Sequence, residues 1–253
     1  MVAMPPKAPK STIKPSDFAS LYEGFNAPVS RFDCGRKCAP LNGGEPVCCS
    51  TENAVPVVHK VEFDLLKTRT DLWKKFKPYD YATREIVAEL TSDCMAIECK
   101  GARHCERDNR TIACRGFPFY PYLTRQKQFV GIGTYWVFED RCWMMSNLEV
   151  VDPGFVAEFI ATYEALFKLD PSEFTTYVDF SASARRVYSR WKRRIPLLGR
   201  DGKLLIVEPS TGEIRPGKQR EFPKTAPFRN EKEYRAAIKD AEGTVPAEGL
   251  RPA

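Results

Sequence analysis

Nine cysteines constrain this chain more than any other feature: the first is Cys34, the last is Cys142, and none follows. The opening segment, residues 1–18, has no apolar stretch of signal-peptide length, so the chain is expected to be cytoplasmic, where thiols stay reduced. Thiols clustered in a reducing compartment point to metal ligation or redox chemistry in preference to structural disulfides, and an odd count fits poorly with complete pairing. The longest uncharged run in the middle of the chain, Gln128 to Phe138, falls well short of the roughly 20 residues of a membrane helix. No membrane partner is expected.

The thiols form two groups. Cys34 and Cys38 are followed by the adjacent pair Cys48 and Cys49; Cys99, Cys105 and Cys114 come later, with Cys94 before them and Cys142 behind. A thiolate is a soft, charged donor suited to zinc or to iron, including a 4Fe–4S cluster, and four of them make a tetrahedral site. Two donors on one loop lower the entropic cost of a half-site, and two from a distant segment complete it and staple the loops. The candidate metal ligands are Cys34, Cys38, Cys48, Cys49, Cys99, Cys105, Cys114 and Cys142, with Cys34, Cys38, Cys49 and Cys114 favoured as one centre. Cys94 reads as a small buried hydrophobe. The spacings match neither a standard zinc finger nor the common ferredoxin run, so zinc and iron both stay open. Lys100, Arg103, Arg107, Arg110 and Arg115 outnumber Glu106 and Asp108 around the second group, which suits a site that must hold thiolates.

Periodicity and punctuation supply the frame. Residues 31–50 are rich in Gly, Pro and Cys without a regular period, and such a loop needs a cross-link or a metal to hold one shape. Val55, Val57 and His59 alternate like a strand, Phe63 to Phe76 suggests a helix ending before Pro78, and Thr83–Leu90 a second one. Cys94–Lys100 reads as a strand, and Phe119–Arg125 with Phe129–Phe138 as a hairpin in which Gly131 and Gly133 mark a bulge. Asp152-Pro153 is the best helix start in the chain, and Asp170-Pro171 ends that helix, with Asp170 and Glu173 able to cap another. Ala184–Arg194 reads as a short basic helix, and Leu204–Val207 with Glu213–Arg215 as a small hairpin. The expected fold class is α+β: a small cysteine-rich, metal-centred domain over 31–145 with irregular loops and short strands, after a tail and lead-in at 1–30. A helical extension at 146–200 and a possible hairpin with a basic flexible tail at 201–253 complete it.

The cysteine order, C…C…CC and then C…C…C-R-x-F-P at Cys114–Pro118, resembles the CxxCxxCC family of zinc- or iron-chelating domains (YkgJ-like), to which flagellin lysine N-methylases are related. The resemblance covers about residues 31–145 and is carried most specifically by the Cys48-Cys49 doublet and Cys114–Phe119. Two features depart from it: three residues separate Cys34 from Cys38 where the family has two, and the gap to the doublet is longer. What it implies is metal chelation by cysteine. Through the methylases it also implies an alternative, an Fe–S-dependent protein lysine N-methyltransferase, although chelation alone does not entail methylation.

Other residues narrow the function classes. No P-loop and no Rossmann glycine pattern occurs. The two histidines, His59 and His104, do not advertise a hydrolase; His104 beside Cys105 could replace one thiolate as a ligand but reads more readily as a surface histidine or a neighbour of the site, and His59 as a packed or exposed side chain. The aromatic stretch Phe117–Tyr122 is expected to pack over the metal loops. Arg185, Arg186, Arg190, Lys192, Arg193 and Arg194 leave room for a third reading, a zinc-stapled interaction module meeting nucleic acid or an acidic protein partner. A net charge of +6 is too modest to argue for it.

Overall fold

The computed structural model describes residues 12–31, 33–222, Lys224, and Lys232, Glu233, Arg235, Ala236 and Lys239. The expected tails therefore fall mostly outside the described residues. In chain order the elements are α1 (Pro15–Glu23), α2 (Gly35–Cys38), β1 (Val57–His59), α3 (Lys60–Arg69), β2 (Trp73–Lys75), α4 (Tyr81–Ala88) and β3 (Cys94–Cys99). They continue through α5 (Ile112–Gly116), β4 (Phe119–Leu123), β5 (Phe129–Thr134), α6 (Pro153–Leu169), α7 (Pro171–Arg190), β6 (Ile195–Gly199), β7 (Leu204–Val207) and β8 (Ile214–Pro216). Helix and sheet are mixed, as an α+β reading requires.

Helix α6 organises the core. Asp152 caps it by accepting the Gly154 N–H at 2.7 Å, and Pro153 presets its first turn. Phe155, Val156, Phe159, Ile160, Tyr163 and Leu166 recur at helical spacing and are all buried. They meet Phe25, Phe119 and Leu66 from other elements in one apolar cluster that runs from Ile13 to Leu198. Phe25 packs edge-on against Phe159 with ring centroids 5.9 Å apart. Helix α1, which starts on Pro15 inside the stretch expected to be a tail, adds Phe18, Leu21 and Tyr22 to this cluster.

Two antiparallel sheets flank the helices. One has the order β1-β3-β2, the other β4-β5-β6-β7-β8. The second pairs β5, from the expected cysteine-rich domain, with β6, and carries β7 and β8 beyond it. The anticipated boundaries at 145 and 200 thus cut through one sheet and one core. The hairpin β4–β5 contains the expected irregularity, a register shift at Tyr122/Leu123 opposite Gly131 and Phe129. Gly131 also meets a second demand: a Cβ there would lie 2.2 Å from the Leu198 carbonyl oxygen of β6.

Two expectations change. The helix anticipated through Phe76 stops at Arg69, because Thr70 is extended and its hydroxyl accepts the Leu72 N–H at 3.0 Å. Trp73–Lys75 then pairs with Cys99–Ile97 as strand β2. Of the anticipated basic helix Ala184–Arg194, the part to Arg190 is the last of α7 and the rest is a turn leading into β6, and several of its cations have partners within the fold. Arg185 is buried and donates to the Leu123 carbonyl at 2.8 Å and to the Tyr122 hydroxyl at 3.2 Å. Arg193 forks onto Glu139 at 2.6 and 3.0 Å, and Arg194 pairs with Glu208. With Arg186 donating to the Ser183 hydroxyl at 2.8 Å, four of the six basic side chains are engaged within the fold. Among the described residues no helix is long and apolar enough to cross a membrane.

Candidate metal centre

Short turns and helix ends place the cysteines. Cys34 and Cys38 bracket α2, and the Cys38 thiol points to the Gly35 carbonyl at 3.6 Å. Cys48 and Cys49 sit on a 3-10 turn after Pro46, closed by the Cys49 N–H donating to the Pro46 carbonyl at 2.8 Å. Cys99 ends β3, where the Gly101 N–H donates to its sulfur at 3.3 Å, a contact that favours the thiolate. Gly101 turns the chain there with φ +94°, a region glycine enters at no steric cost. Cys105 follows a 3-10 turn, and Cys114 lies on α5, where Thr111 caps the helix by accepting the Cys114 N–H at 2.9 Å.

These placements bring five thiols to one cavity of about 30 Å³: Cys48, Cys49, Cys99, Cys105 and Cys114. Leu72 and Trp73 supply apolar wall, and Arg110 is the cation beside them. Trp73 anchors the loop by donating its indole N–H to the Asn109 carbonyl at 2.7 Å. The Cys48 and Cys49 sulfurs are 3.8 Å apart. Cys114 has Cys49, Cys105 and Cys99 as electrostatic neighbours. Cys142 has Cys34 and Cys38 as its neighbours, and Cys34 in turn has Cys49. The doublet therefore lies between a group of three on each side. Cys34 and Cys38, expected at the same centre as Cys49 and Cys114, do not line the cavity; Cys99 and Cys105 do. Cys94 does not line this cavity; it lies near Glu173, Asp170 and Asp93, on a groove that Cys48 and Cys114 also line.

The electrostatics explain what the thiols need. Burial pushes Cys34 and Cys114 up to about 12 and Cys94 up to about 11, and raises Cys38, Cys99 and Cys142 as well. Cys48 is raised first by its contact with the Cys49 thiol and then by burial. Arg110 offsets part of this at Cys114. Arg115, expected to be the helpful cation, is buried and committed elsewhere: its guanidinium donates to the carbonyls of Tyr22, Phe25, Arg110 and Asp108 and to Asn26. It clamps α1 to α5 instead of serving the sulfurs.

Two larger openings adjoin the cavity. A polar cleft of about 590 Å³ has Cys49 and Cys99 among its walls, with Glu45, Glu52 and Lys100. An aromatic groove of about 620 Å³ reaches Cys48 and Cys114 from another direction. His104 is exposed and lines neither cavity nor cleft. His59 caps α3 by accepting the Val61 N–H on Nδ1 at 3.2 Å. Phe119, Tyr120 and Tyr122 are core residues, and from the Phe117–Tyr122 stretch only Phe117 lines the groove. The groove itself, with Glu173 on α7, escaped sequence reasoning; its one signal was the helical spacing of Glu173, Tyr177 and Phe180.

The fit to a metal is one of donor chemistry. Sulfur is the right donor for zinc or iron, and five sulfurs share one cavity with a cation at its wall. No disulfide is formed among the described residues. Among the described residues no group of three or more His, Cys, Asp or Glu is placed so as to hold a metal ion. Compared with known proteins, the chain matches no family model, no curated protein and no solved structure, so the likeness to the CxxCxxCC domains rests on the motif residues alone.

Proposed function

We propose that this chain binds zinc or iron through cysteine thiolates, with Cys49, Cys99, Cys105 and Cys114 as the principal ligands and Cys48 beside them. The observation that carries the reading is the convergence of five thiols, from three separate segments, on one cavity. Buried thiols without a ligand hold their protons; a bound cation supplies the charge that releases them, so loading is coupled to proton release. When bound, the metal supplies the cross-link that the loops otherwise lack. The Gly101 N–H and Arg110 would help to hold negative sulfur, Trp73 and Leu72 to exclude water, and Thr111 to fix the direction of Cys114. Cys34, Cys38 and Cys142 form the neighbouring group that extends the set.

The test is anaerobic purification with elemental analysis and an absorption spectrum. Zinc in a colourless protein supports a single-ion site; iron with sulfide in a brown one supports a cluster. Cys49→Ser and Cys114→Ser should each lower the metal-to-protein ratio by at least about half. Metal-free protein from cells supplied with both metals, or full stoichiometry in both variants, overturns the proposal.

A further inference from the structure

The groove that reaches Cys48 and Cys114 carries a chemistry of its own. Its volume, about 620 Å³, is in the range of small-molecule sites. Five half-buried rings line it: Phe117, Tyr135, Phe138, Tyr177 and Phe180. They are set at steep angles to one another. Tyr135 and Phe180 meet edge to face at 5.2 Å and 73°, and Phe117 and Phe138 at 5.0 Å and 71°. Phe117 and Tyr135 lie nearly parallel, 20° apart, with centroids at 6.5 Å. Rings turned in several directions around one space present both faces and edges to a guest, and the faces are electron-rich.

Charge completes the description. Glu89, Glu173 and Asp179 line the groove, and no lysine, arginine or histidine does, although the chain as a whole carries a net charge of +6. None of the three carboxylates makes an ion pair or accepts a side-chain hydrogen bond among the described residues, whereas acids elsewhere such as Glu98, Glu139 and Glu164 are paired. Glu173, Tyr177 and Phe180 recur at helical spacing on α7, so one helix face offers a carboxylate and two rings together. Tyr177 is steadied by its hydroxyl contact with Tyr163 at 3.3 Å.

We propose that this groove binds an organic cation, an ammonium group carried on an apolar body, with the rings of Tyr135, Tyr177 and Phe180 and the carboxylate of Glu173 as its recognition elements. The apolar part is covered by Phe117 and Phe138, and the positive charge meets ring faces and unpaired carboxylates. An anion would find no donor cation there, and a neutral guest would leave the carboxylates without a partner. Burial, with the negative charge of Asp170 and Glu62, lifts Glu173 to about 7, and a bound cation favours its ionised form. The proposal does not depend on the metal reading, although the guest would lie beside Cys48 and Cys114.

The test is a titration of the full chain, as purified, with benzyltrimethylammonium, followed by calorimetry or ligand-observed NMR. Neutral 2-phenylethanol and anionic phenylacetate serve as comparators. The cation should bind saturably below about 10 mM and at least about tenfold more tightly than either comparator. Phe180→Leu and Glu173→Gln should each weaken it by about fivefold, with melting temperature and metal content measured on the same samples. Saturable binding of the cation that survives in both variants overturns the proposal, as does equal or tighter binding of a comparator, or no saturation by about 10 mM. Because binding is read without the metal, a metal-free protein that still selects the cation would sink only the metal proposal.

Discussion

Between Gly35 and Pro56 the longest helix has 4 residues, whereas between Pro153 and Arg190 two helices of 17 and 20 residues follow each other with one residue between them. The two regions line one groove together, yet their shapes have different origins. The helical region buries Phe155 and Phe159 completely and Tyr163 almost so, and large aromatic side chains bring most of a core's stabilisation. The loop region buries small groups, chiefly Cys38, Ala39, Pro40 and Val47. Its order comes from turns and polar contacts, such as the Asn53 amide donating to Asn42 at 3.0 Å and Arg141 donating to Asn53 at 2.9 Å. Bonds of this kind contribute about 1 kcal/mol each against a backbone entropy of about 1–2 kcal/mol per residue. A loop with that balance gains most from a cross-link, and the thiols lie where one would form.

The largest expected effect separates the regions. Phe155→Ala should cost about 3–5 kcal/mol, read by denaturant unfolding, while each folded chain keeps its full metal content. A chelator should do the reverse: limited proteolysis should open residues 39–56 and 101–111 first and leave the fragment holding α6 and α7 intact. If Phe155→Ala lowers metal per folded chain as much as Cys114→Ser does, the two regions are one cooperative unit and the distinction fails.

A smaller effect tests a buried acid that joins α1, α3 and α5 beside the helical region. Glu62 on α3 is buried and accepts from the Tyr22 hydroxyl and from the Ile112 N–H, both at 2.8 Å. Burial lifts it to about 7, against the lowering influence of Ile112, Tyr22 and Arg115. Tyr163 of α6 and Glu173 of α7 also face it electrostatically. With its folded value above its unfolded one, the folded chain keeps a proton that the unfolded chain has released. Stability from this group is therefore full below about pH 4.5 and is lost as pH rises through about 7. The change is on the order of 3 kcal/mol. Glu173, also lifted to about 7, adds a slope of the same sign. Glu62→Gln should make the decline between pH 4.5 and 7 visibly shallower without abolishing it; an unchanged slope would show that Glu62 is ionised throughout.

Legibility in the sequence followed the same division. The helix start at Asp152-Pro153, the stop at Asp170-Pro171 and the strands at Cys94–Cys99 and Phe119–Thr134 are fixed by caps and local periodicity, and the structure has them. Helix α1 was hidden because four prolines and three lysines before Asp17 gave the segment the composition of a tail. The pairing of β5 with β6 is not local at all: it joins Gly131 to Gly199 across two helices. The cysteines were legible as a set, since clustering is a property of sequence, but their grouping was not. Which thiols meet depends on where β3 and α5 deliver Cys99 and Cys114, and spacing along the chain does not report that. Arg115 shows the limit most plainly, because adjacency to Cys114 suggested a charge partner while the helix turned the guanidinium toward α1.

The smallest expected effect concerns the cysteine that stands outside. Cys94 and Cys99 begin and end the same strand, β3. Five residues of extended chain separate them by about 17 Å, and an odd separation puts their side chains on opposite faces of the sheet. Cys94 is aligned with His59 across the sheet and has carboxylates for neighbours; Cys99 is aligned with Trp73 and faces the thiol cavity. Geometry along one strand thus keeps Cys94 out of the cavity that Cys99 helps to line, although Cys94 shares the aromatic groove with Cys48 and Cys114. Cys94→Ala should leave metal stoichiometry unchanged and cost no more than about 1 kcal/mol, the loss expected for trimming one half-buried sulfur. The same substitution at Cys114 should abolish most of the metal. A fall in metal content on Cys94→Ala comparable to that on Cys114→Ala would mean that the ligand set reaches around β3, and the division of the cysteines drawn from the cavity would have to be abandoned.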